Sequence, residues 1–378
     1  MKTLTSILAR FALVVCVTAP ALQCSAFAQD MPSPLTIGDE SHQAHVFPTR
    51  QEALKLQATP SGPLTFHGGP VMSNVQTFAI IWQPPTLQNG ASTSVSPNYR
   101  GVQRSLLSGY GGHGIGNNNT QYNSNCFEPY TYVGGTPDDF HCQPYIPGFG
   151  GVASYYVGNE GSFMGFYNDK KPYPSGGCTH PLLGTNCISD ADLQAEIKLD
   201  LPFLKAKGWT GGRNQMILVY TSSGEGSCFQ QGQSGDSCSY YAPSPGVGYC
   251  GYHSYFTVDG LTAIIYSNEA YTGAPYGNLA CQFSPAVPSP NNDPVADAAA
   301  SVASHELTEA TTDPLLNAWK SASGAEIGDL CLNWTSPALT FGTNTWDGGK
   351  ANQMWNGAFF ELQMEYDNHT ASCVQEGP

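Results

Sequence analysis

The chain has 378 residues, with 14 Lys and Arg against 29 Asp and Glu and a net charge of −15. That balance argues against a nucleic-acid partner, because too little positive charge is present to offset phosphates. Only 11% of residues are charged while Gly numbers 42 and Pro 28, so solubility falls to Ser, Thr, Asn, Gln and the 20 Tyr.

In chain order, the N-terminus reads as a secretion signal. Met1 to Arg10 is a basic leader, Phe11 to Ala21 an apolar core, and Ala26-Phe-Ala28 a small-x-small cleavage site before Gln29. The core is too short for a membrane anchor, and no other apolar run is long enough to span a bilayer. The expectation is a secreted, extracellular protein, periplasmic if retained. Cys16 and Cys24 leave with residues 1–28. Ten cysteines remain, at 126, 142, 178, 187, 228, 238, 250, 281, 331 and 373. An even count in an exported chain suggests disulfides, although their pairing is not legible.

Residues 29–62 read as a linker or pro-segment with one short helical candidate around Gln51–Gln57. A single domain is expected over 63–378. Val75–Trp82 is a strand ended by Pro84-Pro85. Tyr99–Leu107 is helical, and Ser154–Val157 a short strand. Asp190–Lys207 is an amphipathic helix that Pro202 can kink. Asn214–Tyr220 is a buried-type strand. Tyr249–Thr257 and Leu261–Ser267 are two more, paired across Val258-Asp-Gly260. Short strands around Phe359–Tyr366 close the chain. The expected fold class is α+β, a zincin-like mixed sheet with a backing helix, a metal-bearing helix and disulfide-tied loops.

The metal-bearing helix is the most informative segment. Asp293 suits an N-cap and Pro294 the first helical position, while Pro314 forbids continuation. Both sides of this helix are apolar, so it is expected to be buried all round, and its charged groups then need partners. His305 and Glu309 are four apart and share a face, with Glu306 beside them. This is the His-Glu-x-x-His arrangement of metallopeptidases with Glu in the last place. In that chemistry His305 and Glu309 hold the metal and Glu306 activates water. No Lys or Arg lies between Arg213 and Lys320 to neutralise these carboxylates. Asp313 would lie about 12 Å along the helix from His305, too far to share the ion. Glu326, 21 residues after His305, is the favoured third ligand, with Asp329 as orienter or alternate ligand. One His and two carboxylates suit zinc, and also admit calcium or manganese. His253 is a candidate catalytic or fourth ligand, against the plainer reading of a satisfied core histidine.

Four segments resemble the exordium, or phosphate-induced protein, family: Phe66-His-Gly-Gly-Pro-Val-Met72, Cys250-Gly-Tyr-His253, Asp313-Pro-Leu-Leu-Asn-Ala-Trp319 and Glu326-Ile-Gly-Asp-Leu-Cys331. The similarity runs from about residue 64 to the C-terminus. It implies a secreted, cell-wall-associated protein and supplies no activity. Plant members lack the His-Glu pair, so the metal reading belongs to this chain's own residues.

Three functions follow. The first is a secreted metal-dependent hydrolase, most simply a metallopeptidase acting on extracellular peptides. The second is a non-enzymatic extracellular protein that binds cell wall or polysaccharide around a structural metal. The third is a glycosidase using Glu306 and Glu326 as paired carboxylates.

Overall fold

The apolar runs of the sequence become the middle of one curled sheet. The computed structural model describes residues 33, 35–39, 41–56, 62–126, 153–232, 234–258, 262–283, 289–332 and 351–377. The expected signal peptide lies outside the described residues. The chain opens with strands β1 (Thr36–Asp39) and β2 (His42–Pro48) and helix α1 (Arg50–Leu56). After β3 (Thr65–Phe66) come β4 (Val75–Trp82), α2 (Tyr99–Gly109), α3 (Gly114–Asn118) and β5 (Ser124–Cys126). Next are β6 (Ala153–Tyr155), β7 (Gly161–Asp169), β8 (Cys187–Ser189) and α4 (Asp190–Ala206). Strands β9 (Gln215–Tyr220), β10 (Gly226–Cys228), β11 (Cys238–Ser239), β12 (Gly248–Val258) and β13 (Thr262–Glu269) complete the sheet. The remainder holds α5 (Gly277–Ala280), α6 (Pro294–Thr312), β14 (Trp319–Lys320) and two small hairpins.

The sheet has ten strands in the order β7-β4-β9-β13-β12-β11-β10-β8, with β2 paired to β12 and β1 to β2. Strands β7, β4, β9 and β13 run parallel, and β12 and β2 are antiparallel additions. Strand β4 is buried on both faces, as its unbroken apolar run requires. Ala79 and Ile81 pack with α2 and α6, while Phe78, Ile80 and Trp82 pack with α4. The result is a mixed α+β fold with helices on both faces.

Helix α6 starts where its caps predict. The Asp293 side chain accepts the Ala296 N–H at 3.0 Å, and Pro294 takes the first turn. Every residue from Ala296 to Thr312 is buried. Its alanines let the helix lie close on the sheet. Gly251 of β12 completes this approach, since a Cβ there would sit 2.6 Å from Val302 Cγ1. Helix α4 carries the reciprocal capping box of Ser189 and Asp192 and runs on through Pro202.

Three strands go beyond the sequence reading. Within the expected linker or pro-segment, the helical candidate around Gln51–Gln57 is α1, but β1 and β2 precede it and β2 joins the main sheet. In β2, Ala44 and Val46 alternate with His45 and Phe47, so it buries both faces despite its mixed composition. Strand β7 was not foreseen. Its nine residues are mostly half-exposed and give a weak alternation.

Four disulfides tie the loops: Cys178–Cys187, Cys228–Cys238, Cys250–Cys281 and Cys331–Cys373. Cys142 and the side chain of Cys126 lie outside the described residues. The exported protein is expected to carry no free thiol. Alkylation without reductant should leave its intact mass unchanged, and an adduct on any cysteine from 126 onward would contradict full oxidation.

A buried acid away from the centre sets a pH test. Glu225 is fully buried, takes one hydrogen bond from Gln88 Nε2 at 2.8 Å and has Oε2 unpartnered. Burial raises its pKa from 4.5 to about 8. A carboxyl raised on folding contributes most below pH 4.5, and that contribution is lost as pH climbs through about 8. Glu225→Gln should therefore match wild type in melting temperature near pH 5 and exceed it near pH 8.5. A constant difference across that range would show that folding leaves the Glu225 carboxyl unshifted.

Candidate metal centre

Helix α6, strand β12, strand β2 and the loop after β14 bring their ionisable side chains to one point. The α6 contribution follows from helical spacing. His305 and Glu309 stack one turn apart, with His305 Nε2 at 3.1 Å from Glu309 Oε2. Glu306 faces β12, and its Oε2 lies 3.1 Å from His253 Nδ1. His253 also reaches Glu309 Oε2 and Glu326 Oε2, each at 3.7 Å. All six residues singled out in the sequence, His253, His305, Glu306, Glu309, Glu326 and Asp329, thus share one cluster.

The loop carrying Glu326 and Asp329 is fixed by the site itself. Glu309 Oε1 accepts the Asp329 N–H at 3.2 Å, and Asp329 Oδ2 accepts the Glu326 N–H at 2.9 Å. Gly328 lies between them. A Cβ there would fall 2.3 Å from His305 Nδ1, so only glycine lets this turn cross the imidazole. Asp313 adds to the field of the cluster, where its carboxylate is the largest charge effect on Glu326. It ends α6, and its Oδ1 accepts the backbone N–H groups of Asn317 and Ala318.

Sequence reasoning missed one member. His45 of β2 sits directly opposite His253 of β12 in the ladder. Its Nε2 hydrogen-bonds Asp329 Oδ2, and its Nδ1 lies 3.5 Å from Glu326 Oε1. The one local trace was the alternation of His45 with apolar Ala44 and Val46, too short to single it out without the β12 edge beside it. Glu365, from one of the terminal hairpins, is also buried nearby with both oxygens unpartnered.

The electrostatics are those of a cavity that rejects net charge. Burial lowers His253 well below the usual imidazole range, helped by His45 and His305. Burial lowers His305 to about 4. For His45, burial opposes the proton, but the Asp329 carboxylate outweighs it and raises the pKa. Burial, reinforced by neighbouring carboxylates, raises Glu306, Glu309, Glu326 and Glu365 well above the usual range.

These groups fit a metal ion. His305 Nδ1 and Nε2, His253 Nε2, Glu309 Oε2, both Glu326 oxygens and Asp329 Oδ1 are buried without a hydrogen bond of sound geometry. So many orphaned buried polar atoms call for a missing partner. Three ligand sets have donor atoms within 4.8 Å of one another: His45/Glu309/Asp329, His253/Glu309/Glu326 and His305/Glu306/Glu309. Glu309 belongs to all three. A second carboxylate cluster shows the alternative solution. Asp169, Glu196 and Asp200 converge on Lys171 Nζ, which supplies the cation itself. Near the centre, Lys320 acts on Glu326 and Asp313 only through space, and its Nζ donates to Leu316 O.

No family model, curated protein or solved structure matches the chain. Segments 66–72, 250–253, 313–319 and 326–331 converge around α6. His67 and Gly69 N–H groups bond to Ala318 and Asn317 carbonyls, and Met72 N–H bonds to Thr311 O. The segments at 250–253 and 326–331 supply His253, Glu326 and Asp329 to the cluster.

The expected outcome of purification without chelator is about one tightly bound divalent ion per chain. Glu309→Gln and His305→Ala should each weaken metal binding roughly tenfold or more, by the scale of perturbed metal sites. Glu196→Gln, in the Lys171 cluster, should leave metal content alone. Elemental analysis decides, and equal metal in all four proteins would remove the site.

Proposed function

We propose that this is a secreted metal-dependent hydrolase, most simply a metallopeptidase, with a zincin-like arrangement of sheet and metal helix. The observation that carries the reading is the pairing of Glu306 with the ligand set on one helix. His305, Glu309, His253 and Glu326 would hold the ion. Two or three imidazoles among the donors favour zinc over calcium, which prefers an all-oxygen shell. When bound, the ion would polarise a substrate carbonyl and acidify water.

Glu306 is the group suited to take a proton there. Its Oε2 faces His253, its Oε1 accepts the Phe47 N–H, and its raised pKa suits a carboxyl that must both accept and return a proton. His253 orients that carboxylate through Nδ1, which makes it a positioning residue as well as a candidate ligand. The exordium resemblance, the paired cysteines and the N-terminal leader all support an exported protein. Among the described residues, no helix is long and apolar enough to cross a membrane.

A second reading is favoured by one observation. His45, His253, His305, Glu306, Glu309 and Glu326 are each at most 1% exposed. A metal so enclosed would serve structure, in a non-enzymatic exordium-like protein that binds wall polysaccharide. Kinetics separate the two readings. Zinc-loaded protein should hydrolyse a quenched peptide library, and Glu306→Gln should lose roughly 10²–10⁴ in rate while keeping its zinc. Zinc-loaded protein that cleaves no peptide or ester, both as the full chain and after release of the N-terminal segment, would support the structural-metal reading. An active Glu306→Gln would reassign the helix.

A further inference from the structure

The centre is sealed on one side by a single strand from the N-terminal segment. Strand β2 pairs antiparallel with β12 over Tyr249–Ser254. From it His45 reaches Asp329, the Phe47 N–H occupies Glu306 Oε1, and the Phe47 ring meets His305 edge-on at 4.5 Å. One strand therefore fills three functional positions. It supplies an extra ligand, a donor to the base and an apolar group over the metal helix. A catalytic metal needs an open position, whereas a fourth protein ligand closes it.

We propose that β2 lies in the binding position of an extended polypeptide substrate, and that the segment through α1 holds the protein latent. This rests on the hydrolase reading of the same centre. Without β2, the β12 edge would present unpaired backbone groups past His253 and Glu306. An extended peptide adds to such an edge by backbone hydrogen bonds, with alternate side chains read by pockets. Those pockets are visible as what β2 fills now. Ala44 and Val46 are fully buried on one face of the strand, and His45 and Phe47 on the other. The preferred substrate is therefore an extended chain with small or β-branched apolar residues at alternate positions. The outer part of the segment is held more loosely. In α1, Leu54 is 50% exposed, and Ala53 is the one buried side chain among those described. The ligand sets also separate: loss of β2 removes His45, while His253, Glu309, Glu326 and His305 all remain.

The test uses the full chain, zinc-loaded, with a site-specific protease sequence inserted after exposed Gly62, where no atom lies within 4 Å of a built Cβ. The probes are zinc content, hydrolysis of a peptide library, and binding of a labelled peptide with the sequence of residues 42–48. A tethered strand competes at an effective concentration on the order of millimolar, so cutting and displacing it in mild denaturant should raise hydrolysis about tenfold or more. The labelled peptide should bind the cut protein and not the uncut one. His45→Ala in the uncut chain should keep its zinc, since the other ligands remain. Loss of zinc in His45→Ala, or loss of zinc and fold once the segment departs, would make β2 a permanent wall and overturn the proposal. A cut protein that keeps its zinc and its original slow hydrolysis but binds no peptide would also overturn it, with the hydrolase reading left standing. Peptide binding without any hydrolysis would support the strand site and remove the hydrolase.

Discussion

Everything around α6 depends on holding several carboxyl groups and imidazoles inside a dry core. Charge is expensive there unless it is paired, and proton uptake or a cation are the two ways out. Glu309 is the pivot. It receives the Asp329 N–H, faces His305 along its own helix and lies within reach of His253 across the sheet. The packing around it follows from that demand. An alanine-rich helix permits close approach, Gly251 lets the strand come near, and Gly328 lets the ligand loop cross His305. Each substitution that evolution would find easy at these glycines would push apart groups that need one another.

The Lys171 cluster shows why the centre reads as a place for an added ion. Lys171 balances Asp169, Glu196 and Asp200 at the rim, where its own side chain is 36% exposed and can stay hydrated. There burial still raises Glu196 to about 7 and Asp200 to about 6. The α6 cluster is deeper, has more carboxyls and lacks a lysine in contact among the described residues. His253 and His305, whose pKa values burial lowers, cannot balance it, but neutral imidazoles are competent ligands.

What the sequence made legible follows from how each element earns its burial. Val75–Trp82 and Asn214–Tyr220 announce themselves because both faces are buried and the run is continuously apolar. The α6 helix carries caps at its start, a proline beyond its end and a spacing that places His305 and Glu309 together. The loop carboxylates Glu326 and Asp329 followed from chain distance and chemistry. His45 did not, because its strand is seven residues of mixed polarity whose alternation gains meaning only beside the β12 edge. Strand β7 was missed for a related reason, since a half-exposed edge strand has little pattern to read. That the chain carries disulfides was legible from cysteine parity, while the pairing needed three-dimensional proximity.

The position of β2 also bears on how stability and activity divide in this fold. Ala44 and Val46 join the core packed under α4, and Phe47 joins the satellite cluster with Val302 and Cys250. The Cys250–Cys281 bridge anchors β12 beside that cluster without crossing into β2. The four disulfides among the described residues all lie C-terminal to residue 177, so none of them fastens β1, β2 or α1 to the body. The segment is thus retained by burial and backbone pairing, interactions that a competing strand can reproduce. The body keeps its own cross-links, its parallel strands and the helix that bears His305, Glu306 and Glu309. A fold built this way can exchange one strand at the α6 cluster without dismantling the His and Glu side chains behind it.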